Sequence, residues 1–255
     1  MSQLTIPLHP RRGPLHGHSV TARGLHGMLF KAMREVDPAE TDWLHDHPTP
    51  KPFSLAPLYS VGGLLLGLRL GVVVERAAEL FIRAWNWHRA QETSLQLGPN
   101  DCVVPAVQCD AGPRWIDLAQ LPPAPKVGLR FLSPTAFRQG PGHSPLPVPY
   151  NVFNWPWRVW QAFAPEFGLP DEWLEWCAQE VFVVQHRIET ATVAISKDES
   201  FTGFVGEVVF AANRGGPGQI GILQALAHLA AYSGVGHKTT MGMGAVELFA
   251  LEHSI

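Results

Sequence analysis

The sequence predicts an α+β fold made of two consecutive βαββαβ domains. Three observations predict it. Two patterned halves follow one another, each with strand-like and helix-like segments in the same order. A proline-rich segment, Leu121–Lys126, lies between them and is typical of a semi-rigid linker. Of the 255 residues, 46% are hydrophobic and only 16% are charged, which excludes a disordered chain or a coiled coil.

The first half contains two predicted helices and four predicted strands. Apolar residues recur at helical spacing from Leu25 to Val36, and Asp37-Pro38 ends that run. A second helix is predicted over Ala77–Arg89. The strands are predicted at Leu4–Leu8, Phe53–Tyr59, Leu64–Val74 and Val103–Cys109.

The second half repeats this order. Its predicted segments are a strand at Val127–Leu132, helical stretches between Trp157 and Gln179, strands at Val181–Ile195 and Phe204–Ala211, a helix at Gln219–Tyr232 and a strand at Ala245–Leu251. A βαββαβ unit is the ferredoxin-like or RRM-like fold, an antiparallel sheet with helices on one face. We therefore expect tandem ferredoxin-like domains at residues 1–121 and 126–255, with a groove between them.

Charge and cysteine content narrow the class of protein. The net charge of -3 does not by itself indicate nucleic-acid binding, but 14 of the 19 basic residues are arginines, so local phosphate-binding patches can form. No apolar run reaches about 18 residues and no secretory signal is evident, so we expect a cytoplasmic protein without a membrane partner. The three cysteines lack CxxC spacing, which argues against a disulfide framework and a zinc ribbon.

A glycine-rich segment from Gly234 to Gly244 follows the last predicted helix and precedes the last strand. It is not a P-loop, because His237 separates Gly236 from Lys238 and the helix and strand are in the opposite order. Two interpretations stay open at this point. The glycines let backbone amides approach a polyanion such as RNA, or they merely allow a tight bend.

Four segments in register resemble the CRISPR repeat-cleaving endoribonucleases of the repeat-associated mysterious protein superfamily. They are Leu44-His45-Asp46 with the following KPFSLAPL (Lys51–Leu58), LRFLSPT (Leu129–Thr135), FTGFVG (Phe201–Gly206) and the glycine-rich segment. The resemblance spans most of the chain. It implies binding of a CRISPR repeat RNA and a single cut that releases guide RNAs.

RNA cleavage without metal requires groups that move protons, and histidine suits these roles because its pKa of about 6.5 lies near neutrality. The resemblance places the catalytic histidine at His45, in a polar loop expected over Asp42–Lys51, and a supporting lysine at Lys51. His47, in the same loop, is the alternative candidate for the catalytic histidine. The family commonly has tyrosine or arginine on the first helix, where this chain has His26, and His26 is equally interpreted as a histidine at the border of the apolar stripe.

The remaining site predictions concern RNA contact and cofactors. No metal or cofactor is expected, since the HxH pairs lack a third ligand at fixed spacing. The residues predicted to bind RNA are Gly234, Gly236, His237, Lys238, Thr239, Gly242, Arg130 and Arg138. The alternative function is a related RNA-binding subunit of a CRISPR effector complex without catalysis. The sequence does not decide whether the protein joins such a complex or whether it forms a homodimer.

Overall fold

The computed structural model describes residues 1–251. The chain divides into two compact units. Unit 1 comprises Met1–Gly112 with two short returns from the second half, Val193–Phe201 and Thr240–Gly242. Unit 2 comprises Pro113–Thr192, Thr202–Thr239 and the chain from Met243 onward. Neither unit is therefore one continuous stretch of sequence.

The predicted linker, Leu121–Lys126, lies inside unit 2, and the division between the units falls at Gly112 instead. A short helix, α4 (Trp115–Ala119), precedes the linker. It belongs to unit 2 because Leu118 is buried and the Trp115 ring packs 5.4 Å from that of Trp160. A five-residue helix is too short to show a helical repeat in the sequence. The last four residues of the predicted second domain, 252–255, lie outside the described residues.

The elements of unit 1 between Met1 and Gly112 are β1 (Ser2–Pro7), β2 (His9–Pro10), α1 (Ala22–Arg34), α2 (Pro38–Asp46), β3 (Phe53–Tyr59), β4 (Leu65–Val72), α3 (Glu75–Ala90), β5 (Leu95–Leu97), β6 (Asn100–Val103) and β7 (Gln108–Ala111). They form a ferredoxin-like sheet with the strand order β3-β4-β1-β7, all neighbours antiparallel. A second, three-stranded sheet has the order β2-β6-β5.

The strand predicted at Val103–Cys109 is wrong in its extent. The structure has two strands there: β6 joins the small sheet, and β7 pairs with β1 to complete the main sheet. Pro105 separates them, and because proline has no backbone N–H it cannot continue a hydrogen-bonded ladder.

The loop predicted over Asp42–Lys51 is also wrong in its first half, because α2 runs to Asp46. Asp37-Pro38 does end the first helix, but it also starts the next one. The Asp37 side chain accepts a hydrogen bond from the Glu40 backbone N–H at 3.1 Å, and Pro38 occupies the first turn. His45 is therefore held on the last turn of a helix.

The core of unit 1 lies where the helices cover one face of the main sheet. The buried face of α1 contributes Leu25, Met28, Leu29, Ala32 and Met33. Aromatic contacts extend this core, since the Phe53 and Phe81 rings lie 5.4 Å apart. Burial of this apolar face is what fixes α1, and with it His26, against the sheet.

The elements of unit 2, besides α4, are β8 (Lys126–Thr135), β9 (Phe137–Gln139), β10 (Gly142–Ser144), α5 (Pro149–Phe163), α6 (Trp173–Glu180), β11 (Val181–Ala194), β12 (Ser200–Ala212), α7 (Pro217–Ser233) and β13 (Val246–Phe249). They repeat the ferredoxin-like arrangement with the strand order β11-β12-β8-β13. Phe131 and Phe204, whose rings lie 4.5 Å apart, are in the core of this unit.

The predicted fold class, α+β with tandem ferredoxin-like domains, is confirmed. Between residues 1 and 251, none of the helices combines the length and apolar character needed to span a bilayer.

Candidate active site

Two histidines of unit 1 lie against the same phenylalanine. His26 is on α1, and its ring centroid lies 4.6 Å from that of Phe30, one turn along the helix. His45, on α2, meets Phe30 edge-on at 5.4 Å. The contact between α1 and α2 thus brings together two imidazoles that are 19 positions apart in sequence.

The environment of His26 defines its tautomer. Its Nδ1 lies 3.0 Å from the Thr240 carbonyl oxygen, and Thr240 belongs to the short return that joins unit 1. A carbonyl oxygen only accepts, so the neutral ring carries its hydrogen on Nδ1 and has a lone pair on Nε2. Nε2 is therefore able to accept a proton.

Burial lowers the pKa of His26 below its ordinary value. The hydrogen bond to Thr240 raises this pKa, whereas the charges of His45 and Lys51 lower it further. Burial is the largest of these effects, because taking an imidazolium out of water is unfavourable. At neutral pH, His26 is therefore suited to act as a base.

His45 has a different environment. Its side chain is 58% exposed, and its Nδ1 lies 2.9 Å from Oδ1 of Asp46. The carboxylate accepts a hydrogen bond from Nδ1–H. Nε2 is therefore the ring nitrogen of His45 that is left to exchange a proton with a ligand.

Lys51 binds the backbone at the C-terminal end of α2. Its ammonium donates hydrogen bonds to the carbonyl oxygens of His45 and His47, which are acceptors at the end of the helix. Burial lowers the pKa of Lys51, and the charge of Asp46 opposes this effect. Lys51 therefore fixes the segment that carries His45.

His47, the alternative candidate for the catalytic histidine, has different contacts from His45. Its ring packs edge-on against Trp43 at 5.9 Å, and its Nδ1 lies 2.8 Å from the Pro48 carbonyl oxygen. His45 and His26 instead share Phe30. The geometry therefore favours His45 over His47 as the partner of His26.

The glycine-rich segment is a tight bend whose glycines are required by packing. Gly234, Gly236, Gly242 and Gly244 all have positive φ, between 67° and 99°. A Cβ on Gly244 would lie 1.9 Å from the Val235 carbonyl oxygen, which no side chain tolerates. The bend interpretation therefore accounts for these glycines.

The segment presents few of its predicted RNA-binding residues to solvent. Gly234, Thr239 and Gly242 are buried, whereas Gly236, His237 and Lys238 are half-buried. The prediction that Thr239 reaches RNA is at odds with this burial, because its methyl group packs where a Gly234 side chain would lie. The segment also supplies the Thr240 carbonyl, which sequence reasoning missed, since a backbone acceptor has no residue signature.

The two predicted arginines differ in how they are paired. Arg130 on β8 contacts Glu207 at 2.8 Å and Glu247 at 2.9 Å, so two carboxylates already occupy its guanidinium. Strand register causes this, because Glu207 and Glu247 lie opposite Arg130 on the two neighbouring strands. Arg138 on β9 is exposed and lines a cavity with His237.

Within the described part of the chain, no three His, Cys, Asp or Glu side chains cluster closely enough to hold a metal ion.

Comparison with known proteins gives the following matches. Residues 129–246 match the family model of the CRISPR-associated endoribonuclease Cas6. No curated protein matches the sequence.

Solved structures match over nearly the whole chain. A product complex of Cas6 from Thermus thermophilus is 28% identical, with a TM-score of 0.84 over 97% of this chain and 99% of that one. A product complex of a second Cas6 is 29% identical, with a TM-score of 0.78 over 98% of this chain and 99% of that one. A Cas6-related protein from Pyrococcus furiosus, 12% identical, has a TM-score of 0.61 over 97% of this chain and 98% of that one, a likeness of fold alone.

Proposed function

We propose that the chain, which matches the family model of the CRISPR-associated endoribonuclease Cas6 over residues 129–246 and Cas6 structures over nearly its whole length, cleaves the repeat RNA of CRISPR transcripts to release guide RNAs. Similar structures are complexes with a cleavage product and with a substrate mimic, which supports RNA as the substrate. The observation that carries the proposal is the pair His26 and His45, whose rings both pack against Phe30. The Nδ1 atom of His26 is hydrogen-bonded to Thr240, and that of His45 to Asp46.

The proposed reaction is attack of a ribose 2'-OH on the adjacent phosphorus. His26 Nε2 takes the proton from the 2'-OH, and the 2'-oxygen forms a bond to phosphorus. The bond from phosphorus to the 5'-oxygen breaks, and His45 Nε2 gives a proton to that oxygen. The products are a 2',3'-cyclic phosphate and a 5'-OH, and no metal ion takes part in these steps.

The role of His26 follows from its environment, since a base must be neutral before the reaction, which the lowered pKa of His26 supports. His45 is assigned as the acid because its ring packs against the same phenylalanine, and its Nδ1 bond to Asp46 leaves Nε2 to give the proton. Lys51 is proposed as a positioning residue, since it binds the backbone that carries His45.

The first prediction tests the acid. His45→Ala is expected to reduce the single-turnover cleavage rate by about 10²- to 10⁴-fold, the usual contribution of one proton-transfer group. The dissociation constant for the repeat RNA should be unchanged. The assay uses repeat RNA from the neighbouring CRISPR array, in EDTA, with product ends identified by mass spectrometry.

His47→Ala is the matched control, because it removes an imidazole two positions away that packs on Trp43. It should cleave at the wild-type rate. Replacing the scissile 2'-OH by hydrogen should abolish the cut. A requirement for divalent metal, or full activity of His45→Ala, would contradict the mechanism. Tight binding of repeat RNA without any cleavage would instead favour the alternative function, a non-catalytic RNA-binding subunit of a CRISPR effector complex.

A further inference from the structure

A cavity of about 240 Å³ in unit 2 has a lining that the proposed cleavage reaction does not use. The helix α5 contributes Asn151, Asn154, Trp155 and Arg158 to its wall. These positions follow the spacing i, i+3, i+4 and i+7, so they form one stripe on α5. The facing wall is formed by Phe137, Arg138, Gly236 and His237.

The polar groups of this cavity are available to a ligand. Among residues 1–251, the side chains of Asn151, Asn154 and Arg138 make no hydrogen bond or ion pair to protein. Arg158 lies over the Trp155 ring at 5.6 Å without an acidic partner in that same range. The cavity thus combines two cations with two amides that can both donate and accept.

Aromatic rings define the apolar part of the cavity. The Trp155 indole N–H donates to the Ser233 carbonyl oxygen at 3.1 Å, which fixes the orientation of that ring. His237 stacks on His143 of β10 with a centroid distance of 5.0 Å and an interplanar angle of 28°. A planar ligand can therefore contact rings that are already held in place.

Electrostatics distinguish this cavity from two larger ones on the sheet of unit 2. Those cavities, of about 580 and 690 Å³, both contain Glu207, and the first also contains Glu189. The α5 cavity has two arginines and no carboxylate in its lining. The larger cavities also contain basic residues, among them Arg130, whose guanidinium is already paired with Glu207 and Glu247. In the α5 cavity a phosphate group meets two arginines without a competing carboxylate.

The size and chemistry favour one nucleotide as the occupant. The volume lies below the roughly 300 to 1,000 Å³ of pockets for drug-sized ligands. Amides read base edges, arginines bind phosphate in a bidentate manner, and aromatic rings stack on bases. A base inside a duplex cannot enter such a cavity, because its faces are covered by its neighbours.

We propose that this cavity holds one unpaired nucleotide of the RNA, with its base between Asn151, Asn154 and Trp155 and its phosphate on Arg138 and Arg158. This inference rests on the proposed function only in taking RNA as the ligand. It assigns Asn151, Asn154 and Arg158 as binding residues.

The test measures RNA binding separately from cleavage. The probes are a fluorescein-labelled, mixed-sequence single-stranded RNA of about ten nucleotides and a duplex of the same length. Asn151→Ala/Asn154→Ala is expected to weaken single-strand binding by about tenfold and to leave duplex binding unchanged. Alanine is a good helix former, so circular dichroism and the Tm of this variant should match wild type.

Arg138→Ala/Arg158→Ala should reduce the slope of log K against log salt by about 0.7 for each phosphate that the variant no longer binds. Arg214→Ala is the matched control, an exposed arginine of unit 2 outside the cavity. It should bind as wild type does. Crosslinking of the single strand with 4-thiouridine should label the peptide containing residues 151–158 or 236–237.

Three outcomes would overturn the inference: wild-type binding by both double variants, equal competition by the duplex, or no single-strand binding by the wild-type protein. Failure of the proposed cleavage is a different result. It would appear as intact repeat RNA after incubation with wild-type protein, while the binding differences between the cavity variants persist.

Discussion

At the scale of single residues, the two histidines of the proposed site differ in their surroundings. His26 is half-buried and meets a neutral carbonyl, whereas His45 is exposed and meets a carboxylate. Burial lowers the pKa of His26, which supports its proposed role as the base.

The second prediction concerns pH. Since the pKa of His26 is lowered, the ring stays neutral as the pH falls through about 6.5, the ordinary histidine value. The cleavage rate should therefore decline on the acidic side only below that value, as His26 becomes protonated. Catalysis by one acid and one base gives a bell-shaped pH profile, which single-turnover rates between about pH 4.5 and 9 would measure.

The matched variants that test this pH profile are His26→Ala and His45→Ala. His26→Ala should remove the acidic limb, whereas His45→Ala should be slower but keep that limb. An acidic limb centred above about 6.5 in the wild-type protein would contradict the assignment of His26 as the base.

Sequence reasoning could propose His26, His45 and Lys51 as site residues, because a resemblance and a titratable side chain are both visible in the sequence, and their roles stay predictions. It missed the Thr240 carbonyl, since every residue has one. It also predicted Arg130 as an RNA contact, although two glutamates pair with that arginine. Their proximity depends on strand register, which the sequence does not specify on its own.

At the scale of elements, α2 determines where His45 lies. The Asp37 side chain caps its first turn and also contacts Arg83 at 2.7 Å. At its other end, Lys51 binds the terminal carbonyls. The sequence predicted a loop here because Asp37-Pro38 was interpreted only as a stop signal, although the same dipeptide also starts helices.

The third prediction tests this cap. Asp37→Ala should lower the free energy of unfolding by about 1 kcal/mol and slow cleavage, because fraying of α2 displaces His45. Asp37→Asn is the matched control, since asparagine also caps helices. It should remove only the exposed ion pair with Arg83, worth less than about 1 kcal/mol. Urea denaturation of both variants measures the difference, and equal destabilisation would contradict the capping role.

The fourth prediction compares two glycines. Gly244→Ala should be strongly destabilising, because its Cβ would overlap the Val235 carbonyl oxygen and its φ is 68°. Gly27→Ala should instead stabilise the protein by about 1 kcal/mol, since Gly27 is exposed within α1 and has open space around it. Thermal unfolding distinguishes the two. A stable Gly244→Ala would contradict the close approach.

At the scale of the whole molecule, the order of elements was predictable and the division of the chain was not. The periodicity of apolar residues indicated both βαββαβ units, and each unit has the four-stranded sheet of that fold. The two short returns to unit 1 were not visible, since they are the turn between β11 and β12 and three residues of a glycine-rich segment. Such membership depends on tertiary contacts that span most of the chain.

The fifth prediction follows from these returns. A protease site inserted in the exposed segment 122–126 should give a nicked protein whose two pieces elute together from a sizing column. Unit 1 holds residues from both pieces, with the Arg23 backbone N–H bonded to the Ile195 carbonyl oxygen at 3.1 Å. Separate elution of the pieces without denaturant would contradict this. Addition of urea should release them.

The contact between His26 and Thr240 also affects how relatives should be compared. The contact uses a main-chain oxygen, so selection acts on the path of the backbone rather than on the threonine side chain. Residue 240 can therefore diverge among functional homologues while the glycines around it stay fixed. A search for functional positions that scores only invariant side chains would pass over this contact of the proposed site.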